Sequence, residues 1–217
     1  MKLSIEEGRY LVRLAREAVK EYLISGRQIN PPPDTPPKLR EKKGVFVTIE
    51  KIEINSSGVW RRTLRGCIGI PEPIYPIVEA TIYSAISAAT RDPRFPPMSY
   101  PELKDVVFEV SVLTKPQLVK VEDPKDYPKE IRVGYDGLII ERGLYKGLLL
   151  PQVAVEYGWD ERKFLEQVCL KAGLPPDSWL LPDTKIYKFQ AQIFYELKPE
   201  GEVIERLIHL GRGKEEE

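Results

Sequence analysis

The chain has 217 residues, 42% of them hydrophobic, and its 33 basic residues balance 33 acidic ones. That length and apolar content suit one large domain or two small ones with a real core, and they exclude a disordered chain. Zero net charge leaves no global basic field to recruit nucleic acid or an anionic membrane, although a local patch stays open.

Ser4 and Glu7 have capping-box spacing, and Leu11, Leu14, Ala15, Ala18 and Tyr22 follow at helical spacing. They predict an amphipathic helix over residues 5–24, with Gly26 near its end. This charged start lacks the apolar core of a signal peptide, and no apolar run approaches the roughly 20 residues of a membrane span, so a cytoplasmic protein without membrane contact is expected. Five prolines between Pro31 and Pro37 exclude helix there and read as a stiff extended connector, or as a proline-rich peptide ligand. Residues 44–50 alternate as a strand, residues 59–70 form a second, and a turn at 55–58 pairs the two antiparallel. Residues 77–90 carry one charge and are apolar on most sides, which describes a buried helix. A third strand covers 106–113, with Phe108, Val110 and Val112 on one face. Residues 116–136 look loop-like. Residues 137–150 read as a hairpin around Gly143, and Asp160 caps a helix whose apolar stripe includes Phe164, Leu165, Val168 and Cys169. The last long strand is expected over 186–196, and a frayed charged tail beyond Gly211. Grouped strands with helices between them, lacking regular βαβ alternation, predict an α+β fold with a mostly antiparallel sheet packed with helices.

The chemistry concentrates at Leu64-Arg65-Gly66-Cys67-Ile68-Gly69. On a regular strand Arg65 and Cys67 share one face, and Leu64 and Ile68 the other. A guanidinium beside a thiol favours the reactive thiolate. Gly66 and Gly69 admit a close backbone or a ligand. The alternative is a small buried strand cysteine, which the spacing by itself favours. Arg91, Asp92 and Arg94 follow a buried helix on a loop stiffened by Pro93 and Pro96. They could hold an anion, or Asp92 could pair internally with either Arg91 or Arg94 and pin the loop; alternatively Asp92 could orient Arg65. Gln152, between apolar runs, lines a pocket or satisfies a backbone group. Two cysteines 102 positions apart make no disulfide framework, and the single histidine, His209, lies near the tail. Histidine-rich zinc sites and a core Cys-His pair are therefore not expected, and neither phosphate-loop nor dinucleotide fingerprints occur, so no metal or cofactor is anticipated. Abundant charge, with Asn, Met and Cys at two each, matches the bias of hyperthermophile proteins.

The six-residue cysteine motif, Arg91-Asp92-Pro93-Arg94-Phe95, Leu148-Leu149-Leu150-Pro151-Gln152-Val153, Phe164-Leu165 and Lys171-Ala172-Gly173-Leu174 occur in that order. In this the chain resembles the AMMECR domain family over about residues 5–200, as a free-standing archaeal-type member. The resemblance implies a larger lobe of residues 1–118 completed by 184–200, a smaller lobe of 119–183, a cleft between them and a tail of 201–217. It makes the Cys67 motif the family hallmark without supplying a reaction. Relatives occur beside or fused to a MEMO-type protein and near radical S-adenosylmethionine proteins, which implies partners in a modification pathway. Three readings follow. One is a thiol-dependent enzyme or carrier for an unknown small molecule or peptide, with Cys67 as nucleophile, Arg65 and Asp92 as its catalytic companions, and Gly66, Gly69, Arg91, Arg94 and Gln152 as binding residues. The second is a regulatory or interaction module without chemistry. The third, disfavoured by the balanced charge, is nucleic-acid binding through Arg61, Arg62, Arg65, Arg91 and Arg94.

Overall fold

The computed structural model describes residues 2–54 and 60–208. The turn expected at 55–58, His209 and the charged tail lie outside the described residues. Helix α1 (Ile5–Ser25) is followed by strands β1 (Gly44–Ile54) and β2 (Trp60–Ile70), helix α2 (Ile77–Thr90) and strand β3 (Val106–Leu113). Next come β4 (Gln117–Leu118), the one-turn helix α3 (Tyr127–Glu130), the hairpin β5 (Gly137–Arg142) and β6 (Tyr145–Leu149), and helices α4 (Pro151–Glu156) and α5 (Glu161–Lys171). The order ends with β7 (Lys185–Phe189), β8 (Ala191–Glu196) and β9 (Val203–Arg206). Two sheets with antiparallel pairing, each packed with helices, make this an α+β fold. Among the described residues no helix is long and apolar enough to cross a membrane.

The chain divides into two compact units. The first comprises Met1–Leu113 and Gln192–Arg206 and carries a five-stranded sheet in the order β2-β1-β3-β8-β9. Its α1 starts as its sequence predicts. Ser4 Oγ accepts the Glu7 N–H, Glu7 Oε2 accepts the Ser4 N–H at 2.7 Å, and Gly26 closes the helix in the left-handed conformation. Helix α2, apolar on nearly all sides, packs against α1 as well as against β1 and β2. Strand β1 pairs with both β2 and β3, and its Val45, Val47 and Ile49 are wholly buried beneath the helices. Each such side chain contributes about 1.5–3 kcal/mol of burial free energy. β3 departs from simple alternation, because all eight of its residues are buried.

Arg16 and Glu196 form an ion pair inside this core. Arg16 Nε donates to Glu196 Oε1 at 2.8 Å and Nη2 to Oε2 at 2.5 Å, while the guanidinium also donates to the carbonyls of Leu103 and Val106. Glu196 Oε2 in turn accepts the Phe108 N–H at 3.0 Å. One pair thereby ties α1, β3 and β8 together.

The second unit is built on Thr114–Ala191 and holds a four-stranded sheet in the order β4-β7-β5-β6. Leu138, Ile140, Phe164, Leu165, Val168, Cys169 and Ile186 form its core. The expected strand over 186–196 is in fact two strands in different sheets. Thr114 takes both backbone groups of Gln190: its N–H donates to the Gln190 carbonyl, and its hydroxyl accepts the Gln190 N–H, each at 2.8 Å. The ladder breaks there. Residues 185–189 therefore pair with β5 and β4 in the second unit rather than completing the larger lobe. Likewise β4 belongs to the second unit, and residues 203–206, expected in the tail, form β9 beside β8.

Replacing Arg16 by Met strands a buried carboxylate, which should cost about 3–5 kcal/mol of unfolding free energy in guanidinium titrations. The double variant Arg16→Met/Glu196→Leu should recover most of that loss, since no charge is then left uncompensated.

Candidate functional site

Gly66 faces α2 across a gap that no side chain could enter. A Cβ at Gly66 would lie 2.1 Å from the Ala88 carbonyl oxygen, which is backbone and cannot move aside. Gly69 faces the other way, where a Cβ would meet the Phe46 ring at 2.2 Å. The two motif glycines thus serve close packing on opposite faces of β2. The Gly66 contact brings the end of α2 onto the strand, and with it the Arg91-Asp92-Pro93-Arg94 loop.

The ladder between β1 and β2 slips beside the motif. Ile49 faces Gly66 while Glu50 faces Leu64, so Arg65 is an extra residue with no partner on β1. This bulge overturns the expected alternation. Leu64, not Arg65, shares the face of Cys67 and Gly69, and Leu64 is 41% exposed. Arg65 turns to Glu102, donating from Nε to Oε2 at 2.8 Å and from Nη2 to Oε1 at 3.3 Å. That bond, with help from Ser99, holds the Glu102 carboxyl below its ordinary range. Asp92 orients Arg94 instead of Arg65: Arg94 donates from Nε at 2.9 Å, from Nη2 at 2.6 Å and from its backbone N–H at 3.1 Å.

Asp92 also accepts the Cys67 backbone N–H on Oδ2 at 2.8 Å, and Arg94 Nη2 donates to the Cys67 carbonyl at 3.4 Å. Among the described residues β2 lies at the end of the sheet order and pairs only with β1. In an antiparallel ladder a residue points both backbone groups at its partner strand or both away. Those of Cys67 point away, and the Asp92–Arg94 pair meets them as a neighbouring strand would. Asp92 is 4% exposed. Burial pushes its carboxyl up, but the Arg94 guanidinium and the two backbone N–H groups outweigh that and bring it down to about 2.

The Cys67 side chain points away from α2. It sits in a row with Thr48 of β1 and Glu109 of β3, which are successive partners across the sheet. The Thr48 hydroxyl donates to Sγ at 3.3 Å. Burial pushes the thiol up from its ordinary value. The Thr48 hydrogen bond and the charge of Arg94 pull it down, the carboxylates of Glu109 and Asp92 push it further up, and the balance is upward. The expected thiolate is therefore not stabilised. Arg65, assigned to that task from spacing, is committed to Glu102.

The hydrogen-bonded cluster around Cys67 comes from first-unit residues alone. Arg91 is exposed outside it, with its guanidinium 6.0 Å from the Tyr83 ring. Gln152 is buried on α4 of the second unit. Cys169 is wholly buried on α5, where desolvation pushes its thiol up to about 11. Of the five arginines grouped by the nucleic-acid reading, Arg62, Arg65 and Arg94 pair with Glu50, Glu102 and Asp92. Sequence reasoning missed Thr48, Glu102 and Glu109. Glu102 carried a signal, because Ser99 and Glu102 have capping-box spacing and do form one. Among the described residues no three His, Cys, Asp or Glu side chains are grouped to hold a metal ion. A concavity of about 500 Å3 is lined by residues of α1 together with Pro32 and Asp34, none of them nominated as a site residue.

The AMMECR1 family model matches residues 12–194. The chain belongs to the AMMECR1 family. A Thermofilum pendens protein is 60% identical over 96% of this chain and 99% of its own length. A Pyrococcus horikoshii protein is 56% identical over 93% of this chain and 96% of its own. A crystal structure from P. horikoshii, titled as that of an uncharacterised protein, superposes with a TM-score of 0.89 at 55% identity, covering 95% of this chain and 100% of the other. In this AMMECR1-family chain the six-residue motif is thus a bulged edge strand gripped by a loop carboxylate.

The folded carboxyl of Asp92 lies near pH 2, below the ordinary value of about 3.9. Its contribution, about 2 kcal/mol, is therefore present above pH 4 and lost as pH falls from about 4 toward 2. Asp92→Asn should lower stability at neutral pH and flatten that part of the acid profile, measured by urea unfolding at several pH values.

Proposed function

We propose that this AMMECR1-domain protein is a non-catalytic binding module, in which the Cys67 motif braces a partner-docking surface. The observation that carries the reading is the pairing around the thiol. Arg65 and Arg94 are each paired with a carboxylate, and burial together with the Glu109 and Asp92 carboxylates pushes the thiol up from its ordinary value. A nucleophilic cysteine needs the reverse: a cation free to stabilise the thiolate, or an adjacent base. What the motif does supply is shape. Its glycines admit Ala88 and Phe46, and its backbone is held by a carboxylate and a guanidinium. The partners that the family resemblance suggests, a MEMO-type protein and a radical S-adenosylmethionine protein, are the first to test.

The thiol-carrier reading keeps one supporting observation. Cys67 as a residue is only half-buried, and Asp92 holds its backbone in place.

Alkylation separates the two. Cys67 should react with iodoacetamide slowly at neutral pH, with a rate that climbs through a midpoint above the ordinary thiol value of about 8.5. A midpoint below it would sink the module reading. Cys67→Ser should leave affinity for a MEMO-type partner within about twofold by calorimetry, because serine keeps the size and the Thr48 hydrogen bond.

A further inference from the structure

We infer that the open edge of β2 accepts an extended, acidic segment of a protein partner, and that Asp92 and Arg94 form the gate such a segment displaces. This rests on the binding-module reading and supplies the partner's chemistry.

β2 has eleven residues and, among the described residues, pairs on one side only. Long open edges template the addition of another strand, and proteins manage them explicitly. Counting outward from Cys67 through the bulge, the N–H and C=O groups of Gly69, Leu64 and Arg62 also face away from β1. Among the described residues no other backbone segment bonds the outward groups of Gly69 or Leu64. Among the described residues the outward groups on both sides of Cys67 thus have no backbone partner, while those of Cys67 itself are taken by Asp92 and Arg94. No strand can lie along the edge continuously while Asp92 occupies the Cys67 N–H.

The gate also dictates what replaces it. A partner main-chain carbonyl can accept the Cys67 N–H, and a partner N–H can donate to its carbonyl, which reproduces the two bonds that Asp92 and Arg94 now make. Arg94 keeps its Nε and backbone bonds to Asp92 Oδ1 when the Cys67 bonds are given up, and its Nη2, no longer donating to the Cys67 carbonyl, is left free to meet a second anion. Its side chain is already 43% exposed, so a partner carboxylate can reach it. Arg61, near the far end of the same strand, is exposed and has no ion pair among the described residues. An incoming segment that alternates acidic residues meets both cations. A second copy of this chain is the poorer fit, because β2 against β2 brings together two strands that each carry the cation Arg61 and offers no carboxylate alternating along the edge. A nucleic acid offers phosphates but no main-chain carbonyl in register with the strand.

The test uses the isotope-labelled full chain and three capped six-residue peptides. One alternates Glu and Val, one alternates Lys and Val, and one is the Glu peptide with alternate amides N-methylated. The expected result is a shift and slowed exchange of the Gly69, Cys67 and Leu64 amides with the Glu peptide. Its affinity should be at least about tenfold above that of the Lys peptide, and N-methylation should abolish it. Asp92→Ala should tighten binding by removing the competitor. Arg61→Glu, an exposed change that leaves the core alone, should reverse the charge preference. Unmoved β2 amides, equal binding of the Lys peptide, full binding of the N-methylated peptide, or concentration-dependent self-association through β2 would each overturn the inference. If the peptides fail while the thiol stays inert, the docking edge is wrong and the module reading stands. A reactive thiol removes the module reading whichever peptide binds.

Discussion

The contact between Gly66 and the Ala88 carbonyl is the constraint on which the first unit's distinctive geometry depends. Backbone meets backbone there, so β2 and the end of α2 approach more closely than any side chain permits. Only at that separation does the residue two places past the helix, Asp92, reach the Cys67 amide. Pro93 stiffens the return of the loop, and Arg94 folds back onto the same carboxylate. The bulge at Arg65 belongs to the same event. The strand carries one residue more than its partner where the helix presses on it, and the surplus side chain is sent off to Glu102.

Much of the fold was legible in the sequence because it rests on local signals. The capping box at Ser4, the apolar helix over 77–90 and the strand over 106–113 each announce themselves within a dozen residues, and each is present. The strand expected over 186–196 shows where such signals stop. Alternation runs unbroken through Gln190, and only Thr114, 76 positions away, divides it. The site was legible as a set of names but not as a set of pairings. Cys67, Asp92 and Arg94 do converge. Arg65 leaves the thiol because a bulge defeats alternation, and a bulge depends on the helix packed behind it, which strand periodicity does not encode. Thr48 and Glu109 were invisible for a related reason: they reach the sulfur through the register of three strands.

The thiol illustrates how electrostatics in a protein interior follows pairing more than proximity. Two arginines lie close to the motif, and a count of charges would make Cys67 acidic. Each guanidinium, however, is matched to a carboxylate, and the pull of Arg94 on the sulfur is opposed by the push of Glu109 and Asp92. Desolvation then decides the sign. A motif that reads as reactive becomes a brace, and its backbone carries more of the chemistry than its side chain does.

The buried pair of Arg16 and Glu196 sets a timetable for synthesis. Arg16 leaves the ribosome 180 residues before its partner, a delay of roughly 10 to 40 seconds at ordinary translation rates. During that interval α1 and α2 are made but their core cannot close, because β8 and the carboxylate that neutralises Arg16 do not yet exist. Thr114–Ala191, a continuous stretch with its own core, is complete before Glu196 emerges. Vectorial synthesis therefore favours completion of the middle stretch first, while the first 113 residues wait for the segment that carries Glu196.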